Sequence, residues 1–368
     1  MGKWEMVPFD IAISDETKNG TKIMKENYLQ NGRYPIIDQG KELIAGYSNK
    51  KDGIYENIPA IIFGDHTRVI KYIDMPFFLG ADGVKLLKSK ISEIDYKYLY
   101  YYLTTERIPN TGYNRHFKWL KEVCIPLPPL EVQRQIADVL DRASALIEKR
   151  KAQIEKLDLL VKSQFIEMFG DPVTNPKGWE IEKLEKMGEL NRGVSKHRPR
   201  NDPKLLGGKY PLIQTGDVAN AGLYLTSYTS TYSELGLKQS KIWSSGTLCI
   251  TIAANIAKTS ILSFDACFPD SVVGFSPNGK TNTFFIYYWF GFLQKLLEEQ
   301  APESAQKNIN LKILNDLDVI CPPLPIQNEF TAFVERVEVQ KALLKRSFEK
   351  LELNYQSLIQ KCFREELF

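Results

Sequence analysis

Residues 128–169 read PPLEVQRQIADVLDRASALIEKRKAQIEKLDLLVKSQFIEMF, and residues 322–363 read PPLPIQNEFTAFVERVEVQKALLKRSFEKLELNYQSLIQKCF. Laid over each other at a shift of 194, without gaps, they share 12 identities in 42 positions, several times the chance level. Pro128-Pro129-Leu130 meets Pro322-Pro323-Leu324, Gln133 meets Gln327, and Arg142 meets Arg336. Lys151, Glu155-Lys156-Leu157, Leu159, Ser163 and Phe169 meet Lys345, Glu349-Lys350-Leu351, Leu353, Ser357 and Phe363. Self-similarity at one long period marks an internal duplication.

Each copy reads as one long helix. No Gly or Pro occurs from Leu130 to Phe169, the Pro pair suits the start, and Gly170-Asp171-Pro172 suits the end. The apolar seam of the first copy is Ile136, Leu140, Ala143, Ile147, Arg150, Ile154, Leu157, Val161, Gln164 and Met168. The second is Phe330, Val334, Val337, Lys341, Leu344, Phe348, Leu351, Tyr355, Leu358 and Cys362. Steps of four and three alternate throughout, which is the 3.5-residue period of a coiled coil; a pair of ordinary bundle helices is the alternative. At 1.5 Å per residue each helix spans roughly 58 Å. An antiparallel intramolecular pair with approximate twofold symmetry is the natural expectation.

The segments ahead of the helices match more loosely. Trp4-Glu5 answers Trp179-Glu180, and Tyr34-Pro35-Ile36-Ile37 answers Tyr210-Pro211-Leu212-Ile213. Leu99-Tyr100-Tyr101-Tyr102-Leu103 answers Ile286-Tyr287-Tyr288-Trp289-Phe290. Both tyrosine-rich stretches look like buried helix faces, with base stacking a poor second. The expected organisation is a mixed α/β domain (1–127), a long helix (128–170), a second α/β domain (171–321) and a second long helix (322–368). Ala60-Ile61-Ile62-Phe63 and Thr247-Leu248-Cys249-Ile250 are strand-like runs between turn residues.

Composition agrees with a folded protein: 43% hydrophobic, 25% charged, net charge +3. Each helix carries seven basic and seven acidic residues, so the whole excess lies in the globular parts. The five cysteines (124, 249, 267, 321 and 362) include no C-x-x-C pair. Reduced structural thiols in a cytoplasm, without metal or cofactor, are expected. No secretory signal or spanning segment is expected either.

Basic and amide side chains gather in loops. Asn191-Arg192-Gly193-Val194-Ser195-Lys196-His197-Arg198-Pro199-Arg200 has four Lys/Arg, one His and no acid. Arg192, Lys196, His197, Arg198 and Arg200 are therefore candidates for phosphate and base-edge contacts. Gln214, Thr215, Asn255, Lys258 and Lys307 follow strand-like runs in the same domain. Gln39, Lys41, Lys50, Lys51, His66, Arg68, Arg115 and His116 hold comparable places in the first. Any one of them could equally be a solvated or hydrogen-bonded surface residue, the two first-domain histidines especially.

Catalytic signatures are missing. There is no Asn-Pro-Pro-Tyr for a flipped adenine, no Gly-rich cofactor turn, no P-loop and no nuclease motif after Pro269-Asp270. Three histidines leave little for a triad or a metal site.

The run Ile125-Pro126-Leu127-Pro128-Pro129-Leu130-Glu131-Val132-Gln133-Arg134-Gln135-Ile136, its copy Cys321 to Phe330, and the linker Met168 to Trp179 carry a family likeness. On them the chain resembles the specificity subunit of Type I restriction–modification systems, over essentially its whole length. The resemblance implies two target recognition domains, each binding half of a bipartite double-stranded DNA site, and no enzyme activity of the subunit's own. It also implies helices that act as a ruler and dock two modification (methyltransferase) subunits carrying S-adenosylmethionine. The resemblance further implies that ATP-dependent restriction subunits, with nuclease and translocase activity, join them. A rival reading is a symmetric coiled-coil scaffold that bridges two protein partners without reading DNA. It explains the divergence of the globular halves less well. The chain alone is expected to transfer no methyl group from labelled S-adenosylmethionine and to cut no DNA; measurable transfer by the purified chain would refute the absence of an active site.

Overall fold

The computed structural model describes residues 4–80, 82–112, 114–253, 256–300 and 309–368, of which 295–300 by their backbone. The chain divides into two units, Met1–Ala152 with Lys345–Phe368, and Gln153–Leu344. The long helices Leu130–Phe169 and Leu324–Phe363 each run from one unit into the other.

The first unit is mixed α/β. Its strands are β1 (Glu5–Pro8), β2 (Ile13–Asp15), β3 (Tyr34–Ile37), β4 (Gly46–Ser48), β5 (Ala60–Gly64), β6 (Ile70–Ile73), β7 (Phe78–Leu79), β8 (Val84–Ser89) and β9 (Cys124–Leu127). They form sheets ordered β2-β8-β5-β6, β4-β3-β7 and β1-β9. All five residues of β5 are buried. Alternate side chains of a strand face opposite ways, so Ile61 and Phe63 enter the core beneath the helix Tyr96–Thr105. Ala60 and Ile62 enter a second core with Ile37, Phe77 and Leu79. The sheet is therefore covered on both faces, which is why its central strand reads as an unbroken apolar run.

The second unit has strands β10 (Ile181–Lys183), β11 (Gly188–Arg192), β12 (Leu206–Leu212), β13 (Tyr224–Leu225), β14 (Ser230–Tyr232), β15 (Ile242–Trp243), β16 (Leu248–Thr251), β17 (Thr259–Leu262), β18 (Ala266–Cys267), β19 (Val272–Pro277) and β20 (Asp318–Ile320). The sheets run β11-β19-β16-β17-β13, β14-β12-β18-β15 and β10-β20. β16 splits its residues as β5 does, Leu248 and Ile250 to one core and Cys249 to another. The Tyr-Pro strands match as well: β3 pairs in parallel with β7, and β12 with β18. Among the described residues, β13, at the edge beside β17, has no counterpart in the first unit's sheet.

The tyrosine-rich stretches are helix faces, as their pattern suggests. Tyr98, Tyr101 and Tyr102 are buried, and the Tyr98 and Tyr102 hydroxyls donate to the carbonyls of Pro126 and Cys124 at 2.8 and 2.6 Å. Burial raises the pKa of both hydroxyls. In the helix Thr283–Gln300, Phe285, Ile286, Trp289 and Phe290 are fully buried. None of these rings is free to stack on a base.

Every residue of the two seams is buried or half-buried. In the second unit Val161, Phe165 and Phe169 from the end of the first long helix share a core with Phe330, Val334 and Val337 from the start of the second. In the first unit Ile136, Ala137 and Leu140 meet Tyr355, Leu358 and Cys362. Within each unit the two helices thus run antiparallel. Lys341, the charged seam position of the second copy, is satisfied by Asp158 across the pair and by Glu338 at 3.4 Å. The first helix stops at Gly170, whose φ of +79° is the left-handed conformation that glycine adopts without strain.

One buried glutamine joins each helix to its domain. Gln133 donates to the carbonyls of Pro128 (2.8 Å) and Glu93 (3.1 Å), and its oxygen accepts from the Asp95 N–H at 2.8 Å. Gln327 donates to Pro322 (2.7 Å) and Lys280 (3.1 Å) and accepts from the Thr281 hydroxyl and the Asn282 N–H. Both side chains are fully buried. Gln133→Leu, and likewise Gln327→Leu, strands buried polar partners at about 1–3 kcal/mol each. Each is expected to destabilise its own unit by at least about 2 kcal/mol. Denaturant unfolding, with hydrogen exchange at the Asp95 or Asn282 amide, measures it; unchanged protection would show that the clamp is dispensable.

Candidate nucleic-acid interface

In the first unit the loops after β3, after β5, before β8 and before β9 meet. The Gln39 side chain holds two of them, accepting from the His66 N–H at 3.2 Å and donating to the Asp82 carbonyl at 3.1 Å. His66 Nδ1 lies 3.2 Å from the Asn114 carbonyl, and the Thr67 hydroxyl donates to the Gln39 carbonyl. Arg68 donates to the Ile108 carbonyl from a left-handed backbone with φ of +63°. Arg115 and Lys41 are exposed on the same group of loops. Lys50 and Lys51 are exposed after β4, on a different turn.

His116 is a correction. It is fully buried, with Nδ1 3.0 Å from the Asp65 carbonyl and Nε2 accepting from the Thr111 N–H, so it braces these loops and presents nothing to a ligand. The Asp65 carboxylate in turn accepts from the Phe117 N–H at 2.8 Å. Sequence reasoning missed Lys71. It lies on β6, nearly buried, and donates to the carbonyls of Asp38 and Glu42 at 2.8 and 2.5 Å, with the Asp38 carboxylate 3.6 Å away. Burial lowers its pKa, while Asp38 and Glu42 oppose the shift. A lysine inside the strand Ile70-Lys71-Tyr72-Ile73 was the available signal, because a cation at a buried strand position needs oxygen partners.

In the second unit the turn between β18 and β19 is the hub. Gln214 begins a short helix just beyond β12, where the Ile213 N–H donates to the Cys267 carbonyl, and Thr215 is its first residue. Gly193 N–H donates to the Val272 carbonyl, and a Cβ at Gly193 would lie 2.2–2.3 Å from the carbonyl oxygens of Phe268 and Pro269. Only glycine lets the basic loop seat so closely. Ile252 N–H bonds the Ser271 carbonyl, and Ile309 N–H bonds the Ile252 carbonyl. Asn255 and Lys307 lie outside the described residues. Lys258 is half-buried and faces elsewhere, lining a cavity of about 490 Å³ with Asp158, Lys162, Glu338 and Lys341.

The basic loop is less positive than its own sequence suggests. Asp270 takes Arg192 on its main-chain oxygen at 2.9 Å, and its carboxylate pairs with Arg198 at 3.6 Å and with Arg200. His197 lies 3.1 Å from Asp202, whose pKa is lowered chiefly by the Lys204 N–H and further by His197. Lys196 is exposed. Among the described residues no group of side chains has the make-up of a metal site, and no helix is long and apolar enough to cross a membrane.

Two stretches, residues 3–156 and 176–353, match a single family model, that of the Type I restriction modification DNA specificity domain. The chain belongs to that family. Among its relatives is a putative Type I restriction enzyme specificity subunit of Methanocaldococcus jannaschii, 24% identical over 303 residues, covering 75% of this chain and 69% of that one. A putative Type I specificity subunit of Mycoplasma pneumoniae is 26% identical over 321 residues, covering 83% and 81%. Among solved structures, the S subunit of a Type I restriction–modification system from M. genitalium superposes with a TM-score of 0.62 at 17% identity, covering 98% and 96%. This last likeness speaks for the fold: mixed α/β parts with long helices. Membership of the specificity family supports a role in DNA sequence recognition.

For a specificity subunit, each phosphate contact contributes about −0.9 to the slope of log affinity against log salt. Alanine at Arg192, Lys196, Arg198 or Arg200, tested one at a time in the assembled complex, is expected to weaken DNA binding and flatten that slope. Four unchanged slopes would mean a loop that only meets water.

Proposed function

We propose that this chain is the non-catalytic specificity subunit of a cytoplasmic Type I restriction–modification complex. In it, each α/β domain reads one half of a bipartite double-stranded DNA site, and the two long helices pair as a coiled coil that docks two modification subunits. ATP-dependent restriction subunits join that assembly. The alternating seam and the antiparallel packing within each unit support the coiled coil. The matching strand orders and the twofold match to one family model support an internal repeat.

One observation carries the docking reading. Leu159 and Leu353 occupy the same place in the two copies and are identical, yet they are 61% and 67% exposed. Packing within the chain gives no reason to keep an exposed leucine twice. Lys151, Glu155 and Lys156 and their counterparts Lys345, Glu349 and Lys350 are likewise identical and exposed. A surface repeated in this way fits a partner that is met twice, while the divergent domain loops fit two different half-sites. Leu146, Val339 and Leu343 add further exposed apolar area to otherwise charged helices. Isolated apolar residues are common on surfaces; here one exposed leucine recurs at the equivalent place in both copies, beside the same exposed Lys and Glu residues, and that repetition supports an interface.

Exchange of residues 171–321 for the corresponding domain of a relative is expected to change one half of the methylated site and leave the other intact. Sequencing of methylated adenines in host DNA measures the outcome. Change in both halves, or in neither, would sink the assignment of one half-site to each domain.

A further inference from the structure

Asp270 stands at the centre of the basic loop. Its carbonyl accepts from Arg192 Nε at 2.9 Å, its Oδ2 lies 3.6 Å from Arg198 Nη2, and its Oδ1 bonds Arg200 Nη2. One residue thus serves three guanidinium groups that come from about 70 positions earlier in the chain. The Asp270 side chain is 33% exposed and the Arg198 and Arg200 side chains 55% and 46%. Ion pairs at such exposure contribute little to folding. The loop is also seated independently of that carboxylate, through the Gly193 contact with Val272, the Ser240 hydroxyl on the Val194 carbonyl, and the Gln239 oxygen on the His197 N–H. Stability therefore gives no strong reason for a negative charge here.

For DNA binding the same charge acts in two ways. It holds the planar forks of Arg198 and Arg200 in one orientation, which reduces the side-chain freedom lost on contact. It also repels phosphate, and it already occupies donors that a phosphate would otherwise take. Each guanidinium has five N–H donors, so others stay available for a base edge or a phosphate. The repulsion weakens binding to every duplex equally. The fixed orientation returns affinity only where the bases match the donors.

We infer that Asp270 is a specificity-determining residue: by holding Arg192, Arg198 and Arg200 it suppresses indiscriminate phosphate binding and reserves the basic loop for a matched duplex. The inference rests on the reading of the second unit as a DNA-recognition domain.

Asp270→Asn tests it, because the variant keeps the carbonyl that holds Arg192 and a side-chain oxygen acceptor while it removes the charge. The full chain, assembled with its modification subunits, is titrated with a pool of randomised duplexes over a range of salt, and the bound fraction is sequenced. The Asn variant is expected to bind the unselected pool several-fold more tightly, with a steeper salt dependence. The half-site assigned to this domain should become degenerate while the other stays sharp. Asp270→Glu, which restores the charge, should recover discrimination at least in part. Unchanged or weaker pool affinity with both half-sites still sharp would overturn the inference. Alanine variants of Arg192, Arg198 and Arg200 separate the two levels. If they weaken binding while Asp270→Asn is silent, the inference alone fails. If they too leave affinity and half-sites unchanged, the DNA role of the loop fails and takes the inference with it.

Discussion

A fully buried glutamine at the first turn of each long helix is the constraint on which the rest depends. An amide in an apolar setting must place both its donors and its acceptor, and Gln133 and Gln327 do so on a carbonyl at the start of their own helix segment and on groups of the adjoining domain, which are Glu93 and Asp95 for the first and Lys280, Thr281 and Asn282 for the second. Apolar packing between helix and domain could slide with little penalty, whereas these hydrogen bonds are satisfied in one register. The helix therefore leaves each domain at a defined place, and the seam residues that follow are aligned by it. The Asp95 side chain, capping the tyrosine-rich helix through the N–H groups of Lys97 and Tyr98, extends the same network into the first domain.

Much of the architecture is legible in the residues because it is dictated locally. The period of the seams is a property of a single helix, and the Gly170 stop needs no distant partner. β5 and β16 declare themselves as buried strands because each feeds two cores. The Tyr-Pro strands were recognisable as equivalents from four residues each. By contrast, the matching parallel pairings of β3 with β7 and of β12 with β18 follow from contacts that no local pattern announces.

The site was less legible, for a related reason. Charge counted along the loop 191–200 finds no acid, yet Asp270 arrives from the turn before β19 and pairs with two of its arginines. His116 looks like a loop histidine and is interior because Asp65 and Thr111 enclose it. Lys71 looks like an ordinary strand lysine and is a brace. In each case the deciding partner lies across the fold, where spacing along the chain carries no information. What did come through was the grouping: Gln39, His66, Arg68 and Arg115 were selected separately, and their loops come together.

The division of the chain has a consequence for biosynthesis. The second unit is one uninterrupted stretch, Gln153–Leu344, whereas the first needs Lys345–Phe368, which is translated only after the whole of the second. Phe363 packs against Tyr98 and Tyr102, and Cys362 sits in the core with Ile136 and Leu140. Domains generally fold as units and in order of their emergence from the ribosome. Here that order is inverted, because the later unit has all its residues while the earlier one still awaits its closing helix. Until Lys345–Phe368 has emerged, the face formed by Tyr98, Tyr101, Ile136 and Leu140 stays uncovered. A chain that lacks this helix therefore exposes apolar surface that the folded protein buries, and such transiently exposed surface is prone to aggregation.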